Sequence, residues 1–125
     1  MSLSTNARIV ADFCAAWSAL DAARLGEFLT DDIIYHNIPV DPLVGRDTVI
    51  GMWQMFFEAI EQVEFEMLHI VDKGDVVLTE RVDRFRMKSG KICDLPVMGT
   101  FELRDGKIAQ WRDYYDGPSS AALAP

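Results

Sequence analysis

The feature that most constrains the fold of this chain is a change in the spacing of its apolar residues near Val63. Before this point, apolar side chains recur at the three-to-four-residue spacing of a helix with one buried face. After it, they alternate with polar residues, as in strands that bury one side. The sequence therefore predicts an α+β domain, with helices first and a sheet afterwards.

The predicted elements follow this division. The first half contains helices over 5–20 and 21–29, a break at 30–32, a β-branched strand over 33–38 and a third helix over 47–60. In the second half, turn signals separate four strand-like runs, at about 63–72, 75–87, 91–103 and 107–116. We expect an antiparallel meander that curves around the helices and leaves a deep apolar cone, which is a natural ligand pocket.

Length and composition narrow the class of protein. The 125 residues fit a single domain over 1–125, with a core of about 5–117 and a loose C-terminal tail over 118–125. No run approaches the ~20 apolar residues of a membrane helix, and no signal-peptide pattern is present, so no membrane partner is expected. The net charge of −8 argues against nucleic acid as a partner. Cys14 and Cys93 are expected to be buried free thiols of a cytoplasmic protein.

Three short polar patches lie in the predicted strands. They are Tyr35-His36-Asn37, Arg81-Val82-Asp83 and Trp111-Arg112-Asp113. Because residues two apart share a strand face, the first and third residue of each patch point to the same side. If these sides look into one cavity, it contains two carboxylates, one guanidinium, one phenol and one amide. His36 lies on the opposite face and is not expected to be catalytic.

The last strand indicates which face is buried. Its odd positions carry Trp111, Asp113 and Tyr115 and form its more apolar side. Buried aspartates are rare unless they are paired, and Arg81 is the obvious partner for Asp83 and within reach of Asp113. On the strand of Arg81 both faces are mixed, so an exposed Arg81–Asp83 salt bridge stays open as an alternative.

Two aspartates around one arginine divide their roles. The arginine favours the ionised form of both, whereas burial and mutual repulsion make one of them keep its proton. The pair can then activate water on one side of a substrate and protonate an oxygen on the other. Tyr35 and Asn37 could orient that water, although Asn37 also fits an ordinary strand end. No zinc spacing, phosphate loop or nucleophile elbow is present, so no metal and no cofactor are predicted.

The order of these motifs resembles a known family. The run from Asp21 to Asp32, followed by a strand and a meander, resembles the nuclear-transport-factor-2-like (SnoaL-like, cystatin-like) superfamily, whose cone-shaped fold packs a curved mixed sheet on N-terminal helices. Within it, the chain is similar to the limonene-1,2-epoxide hydrolase family from about residue 9 to 116. The matching residues are Tyr35, Asn37, Arg81, Asp83, the stretch from Trp111 to Asp116, and Pro96-Val97-Met98-Gly99 before it.

The resemblance implies a role for each matching residue. Asp113 would be the general base that deprotonates a water held by Tyr35 and Asn37. Asp83 would be the protonated acid that donates to the epoxide oxygen, and Arg81 would bridge the two aspartates. The implied reaction is one-step, metal-free hydrolysis of an apolar epoxide to a vicinal diol, without a covalent intermediate. The implied partners are the epoxide, water and a second copy of the chain, bound through the sheet as a homodimer.

We expect the pocket wall to consist of strand residues whose parity matches that of the polar site residues, together with residues of the helices. Trp111 would support the polar network, and the substrate would contact Trp17, Phe56, Phe65, Phe85, Leu95, Val97 and Tyr115. Phe85 and Tyr115 are bulky and would narrow the cavity beside the aspartates. A cyclic terpene epoxide would therefore fit poorly.

Two other functions stay open at this point. A ketosteroid-isomerase-like isomerase or a polyketide cyclase could use the same fold, and a catalytic role for His36 would favour them. In such an enzyme Arg81 and one carboxylate would be idle. A non-catalytic domain that binds an apolar ligand is the second alternative, because one fold supports many functions. Two buried aspartates would bring no benefit to such a domain.

Overall fold

The computed structural model describes residues 3–124 and contains three α-helices, six strands and two short 3-10 helices within them. The helices are α1 (Thr5–Ala16), α2 (Ala22–Gly26) and α3 (Arg46–Phe57), with 3-10 helices at Trp17–Ala19 and Pro118–Leu123. The strands are β1 (Leu29–Asn37), β2 (Leu43–Val44), β3 (Ile60–Lys73), β4 (Val76–Met87), β5 (Ile92–Arg104) and β6 (Lys107–Tyr114). No helix within the described residues combines the length and the apolar character needed to cross a membrane.

All six strands form one mixed sheet in the order β2-β1-β6-β5-β4-β3. Strands β3 to β6 form the predicted antiparallel meander. Strand β1 pairs with β2 antiparallel and with β6 in parallel, which places β6 and β5 at the centre of the sheet. Helices α1 and α3 pack on this sheet, and the predicted α+β fold is confirmed.

The core lies between the helices and the odd-numbered face of the meander. On β4 the side chains buried on this face are Val77, Thr79, Arg81, Asp83 and Phe85. The register places β5 beside them, with its odd positions buried as well. Both faces of β4 carry charged residues, and the buried face is the one with Arg81 and Asp83, whereas Glu80, Arg84 and Arg86 are exposed. Both thiols are buried and free, as predicted.

Residues 30–32 are not the predicted break after a helix over 21–29, because α2 already ends at Gly26 and residues 30–32 belong to β1. Strand β1 begins at Leu29, which pairs with Ile108, and a register shift follows before the pairing resumes at Ile34. Asp31 and Asp32 point outward to arginines, with Arg46 2.7 Å from the former and Arg104 2.6 Å from the latter. Residues 30–33 thus form an irregular part of β1, between the pairs Leu29–Ile108 and Ile34–Gln110, and the two arginines bind its aspartates.

The C-terminal segment is more ordered than the expected loose tail. Pro118 opens a 3-10 helix, and the Ser119 N–H and hydroxyl both donate to Asp116, at 3.1 and 2.6 Å. The Cys93 thiol donates to the Ser119 carbonyl across 3.4 Å, which ties this helix to β5. The rest of the predicted tail, Pro125, lies outside the described residues, as do residues 1 and 2.

Candidate active site

The centre of the inner face is the guanidinium of Arg81, which is fully buried. A guanidinium has five N–H donors, and here each one has an acceptor. Nε and Nη2 donate to the two oxygens of Asp83 at 3.0 and 2.8 Å. Nη1 and Nη2 donate to the two oxygens of Asp113 at 3.2 and 2.8 Å. The fifth donor, on Nη1, reaches the Thr79 hydroxyl at 3.0 Å. Arg81 is therefore held in one position and orientation.

The two aspartates are almost entirely buried, each with 4% of its surface exposed. They come from different strands, β4 and β6, and are bridged by Nη2 of Arg81. The alternative of an exposed Arg81–Asp83 salt bridge is thus wrong. Asp113 also accepts from the Trp111 indole N–H at 2.6 Å. Asp113 therefore accepts three hydrogen bonds from these groups, whereas Asp83 accepts two.

The charge balance of this cluster favours one retained proton. Two carboxylates and one guanidinium carry a net charge of −1 when all are ionised, which is costly in a buried site. Burial raises the pKa of Asp83 to about 6; Arg81 opposes this rise and the charge of Asp113 adds to it. Burial also acts against the charge of Arg81, but Asp113 and Asp83 together raise the pKa of Arg81 well above its usual value. The acidic proton of the cluster therefore resides on Asp83 in mildly acidic solution.

The parallel pairing of β1 with β6 brings the first polar patch to the same place. Tyr35 pairs with Trp111 and Asn37 with Asp113, so the two patches lie side by side. The Tyr35 ring packs 4.7 Å from the Trp111 ring, between centroids. Burial raises the pKa of Tyr35, with a further rise from Asp113, so that its hydroxyl keeps its proton and can donate a hydrogen bond.

The two aspartates, Tyr35 and Asn37 line one cavity of about 290 Å³, whereas Arg81 does not line it. Every residue predicted for the wall contributes to it: Trp17, Phe56, Phe65, Phe85, Leu95, Val97 and Tyr115. Tyr35, Asn37, Asp83, Trp111 and Asp113 supply its polar part. The sequence did not indicate four further wall residues: Met52, Ser120, Leu123 and Ala124. Three of these four come from the C-terminal segment, which was predicted to be a loose tail and instead forms part of the cavity wall.

The sequence assigned no role to two further residues beside Arg81, although Gly99 ends the motif Pro96-Val97-Met98-Gly99. Thr79 lies on β4 with the same parity as Arg81 and Asp83, and only 1% of its surface is exposed. Gly99 lies on β5 between Thr79 and Asp113, with which it pairs in the sheet. A glycine inside a strand marks the close approach of another group, and this signal could have identified Gly99 from the sequence.

His36 and Cys14 do not line the cavity. His36 is half-buried and does not line the cavity, as its parity predicted. The buried Cys14 thiol has its pKa raised to about 12, mainly by burial, so it is not a nucleophile at neutral pH. Among residues 3–124, no group of three or more His, Cys, Asp or Glu side chains is placed to hold a metal ion.

The site can now be compared with known proteins. A family model described as the limonene-1,2-epoxide hydrolase catalytic domain matches residues 4–119. Epoxide hydrolase EphG of Mycobacterium tuberculosis is 34% identical over 89 residues. This match covers 70% of the chain and 58% of EphG, so it spans a little over half of that relative's length.

Solved structures support the same family and fold. An M. tuberculosis LEH-like epoxide hydrolase superposes with a TM-score of 0.84 at 28% identity, covering 95% of this chain and 89% of that one. A protein with a ketosteroid isomerase-like fold from Catenulispora acidiphila gives 0.81 at 25% identity, covering 92% and 90%. The nuclear-transport-factor-2-like (SnoaL-like) fold implied by the sequence is confirmed by such likenesses.

Proposed function

The chain belongs to the limonene-1,2-epoxide hydrolase family, and from this premise we propose that it hydrolyses an apolar epoxide to a vicinal diol in one step, without a metal or a covalent intermediate. The observation that carries the proposal is the bridge from Nη2 of Arg81 to Asp83 and Asp113, 2.8 Å to each, beside an aromatic cavity. One buried cluster thus contains both an acid and a base.

The hydrogen bonds divide these two roles. A carboxylate offers about four lone-pair positions. Both lone-pair positions of the Asp113 Oδ1 atom accept hydrogen bonds, one from Arg81 and one from Trp111. One of the two positions on the Asp113 Oδ2 atom accepts from Arg81. The remaining position, on Oδ2, can accept a proton from water. Three donors stabilise Asp113 as the ionised base, whereas Asp83, with two, is the better place for the proton.

The reaction follows from this assignment. Asp113 takes a proton from a water held by Tyr35 and Asn37, and the water oxygen attacks one epoxide carbon. The C–O bond on that carbon breaks, and Asp83 gives its proton to the leaving oxygen, which remains attached as the second hydroxyl. Water and epoxide thereby become a diol. The cycle closes when Asp113 loses its proton and Asp83 regains one.

The cavity favours a slender apolar substrate. Its volume of about 290 Å³ lies at the lower end of the usual range for ligand pockets, roughly 300 Å³ upward. Phe85 lies 5.8 Å from Phe56 and 6.3 Å from Phe65, between ring centroids, beside the acid Asp83. We propose that this aromatic cluster disfavours a bulky cyclic terpene epoxide and favours a flatter or narrower one.

The proposed dimer forms through the outer face of the sheet. Several apolar side chains on that face are exposed although they lie on strands: Ile34, Val76, Leu78, Met98 and Tyr114. Met98 and Tyr114 are directly paired across β5 and β6. Met98 and Tyr114 thus form an exposed apolar pair on a face that also carries the Arg112–Glu102 ion pair, and we propose that a second copy covers this pair.

The first experiment is detection of diol by mass spectrometry from a panel of apolar epoxides, with a chelator present. We expect the parent to form diol, and Asp113→Asn to be slower by about 100-fold or more, as for loss of a general base. Asp94→Asn is the matched control, because Asp94 is an exposed carboxylate on the adjoining strand. If Asp113→Asn turns over epoxide within a few-fold of the parent rate, Asp113 is not the general base.

The same experiment separates the alternatives. An isomerase or cyclase needs no second carboxylate, and His36, which would favour such a reading, lies outside the cavity. If the folded protein binds apolar ligands but forms no diol from any epoxide, the isomerase, cyclase or ligand-binding functions would replace epoxide hydrolysis as the proposal.

A further inference from the structure

The guanidinium of Arg81 lies in a notch that two other residues form, and we propose that both of them, Thr79 and Gly99, are positioning residues for the reaction. Thr79 supplies the acceptor for the one Arg81 donor that no carboxylate takes. Gly99 supplies the space that the guanidinium occupies. This inference rests on the proposed function and adds two residues that act through Arg81 and Asp113.

The geometry at Gly99 leaves no room for a side chain. A Cβ atom at this position would lie 2.4 Å from Nη1 of Arg81, 2.6 Å from Oδ1 of Asp113 and 2.9 Å from Oγ1 of Thr79. Since each distance is below van der Waals contact, at least one of these groups would have to move. Gly99 is absent from the residues with positive φ, so its backbone does not require glycine. The reason for glycine here is the space that the polar cluster needs.

Thr79 completes the hydrogen bonding of this notch. Its hydroxyl accepts from Nη1 of Arg81 at 3.0 Å and donates to the Gly99 carbonyl at 3.3 Å. The same Nη1 also donates to Asp113, in the longest of the five Arg81 contacts, 3.2 Å. Thr79 therefore restrains the atom that contacts the proposed base. Without the hydroxyl, one buried N–H of Arg81 would be unpaired, and the guanidinium would turn to satisfy it.

Small displacements at this point affect both aspartates. Arg81 is bonded to the acid and the base at once, so movement of the guanidinium changes the distance between them. An error of about 1 Å in a reacting geometry can cost on the order of 100-fold in rate. The apolar cavity wall does not include Thr79 or Gly99, so substrate affinity is expected to change little.

The test compares two pairs of variants by diol formation. Thr79→Val keeps the shape but removes the hydroxyl, and Thr79→Ser restores the hydroxyl. We expect Thr79→Val to lower kcat by roughly 10- to 100-fold with KM nearly unchanged, and Thr79→Ser to recover most of the loss. Gly99→Ala is expected to lose about 100-fold in kcat. Gly51→Ala is its control, because a Cβ on Gly51 has nothing within 4 Å.

A second readout, which needs no substrate, is the titration of the Asp83 carboxyl by NMR in the same proteins. We expect Thr79→Val to move its midpoint away from about 6 and Thr79→Ser to leave it in place. If the parent forms no diol, the proposed function fails, but this titration still tests whether Thr79 positions Arg81. Parent-like kcat and titration in Thr79→Val would overturn the proposal, even if Gly99→Ala did not fold.

Discussion

The substitution Arg81→Lys tests how much the central cluster depends on the shape of the guanidinium. Arg81 makes five hydrogen bonds, four of them to carboxylate oxygens. An ammonium has three donors, so at least two bonds are lost even in the best placement. Each bond to a charged group contributes about 1.5–3 kcal/mol. We therefore expect the free energy of unfolding to fall by roughly 3–6 kcal/mol.

The matched control is Arg84→Lys on the same strand. Arg84 also bonds a carboxylate through two nitrogens, donating to Glu66 at 3.2 and 2.6 Å, but its side chain is 44% exposed. Because water replaces lost surface contacts, we expect a change within about 0.5 kcal/mol.

The assay is urea unfolding followed by tryptophan fluorescence, since Trp17, Trp53 and Trp111 are all buried. The midpoint and slope give the free energy of unfolding for the parent and both variants. A difference below about 1 kcal/mol between Arg81→Lys and Arg84→Lys would refute the reasoning, because that is the size of a single ordinary hydrogen bond. It would mean that the ammonium and relaxed side chains can satisfy both aspartates.

The remaining predictions concern the pH dependence caused by Asp83 and the proposed dimer surface on the outer sheet face. Because the pKa of Asp83 is about 6 in the folded protein against 3.8 ordinarily, the native state binds more protons than the unfolded state between these values. The free energy of unfolding should therefore fall as pH rises through this window, which urea unfolding at several pH values checks. Turnover should also fall as pH rises through about 6, because the acid Asp83 loses its proton, and a pH–rate profile checks this. Asp83→Asn should abolish turnover and flatten the stability profile, and a decline that persists in this variant would assign it to another group. On the outer face, Met98→Lys should convert the proposed dimer to a monomer with parent-like circular dichroism, measured by light scattering; a parent that is itself monomeric would contradict the dimer.

The main elements of the fold could be predicted because they depend on local periodicity. The change of spacing at Val63 marks the meander, and strand parity places Arg81 with Asp83 on one face of β4 and Trp111 with Asp113 on one face of β6. Parity could not say which face of β4 is buried, since both are mixed. The structure decides this through the pairing of β4 with β5, whose odd positions are uniformly small or apolar.

The missed features depend on contacts between distant segments. Residues 30–32 have turn chemistry but lie within β1 as an irregular stretch, because Leu29 and Ile34 on either side of them pair with β6. Thr79 carries no chemical signature, and its importance follows only from its contact with Arg81, whereas Gly99 is marked in the sequence as a glycine inside a strand. The C-terminal 3-10 helix is short and polar at its start, so nothing in its composition indicates that it lines the cavity.

The parallel pairing of β1 with β6 has a consequence for how the protein is made. The meander strands are joined by tight turns and can pair locally, but β1 must wait for β6, which follows it much later in the chain. During synthesis on the ribosome, the inner edge of β1 is therefore unpaired, and such an edge is prone to aggregation. The same pairing brings Tyr35 and Asn37 to Asp113. A nascent chain thus completes this pocket and covers the edge of β1 in a single late event.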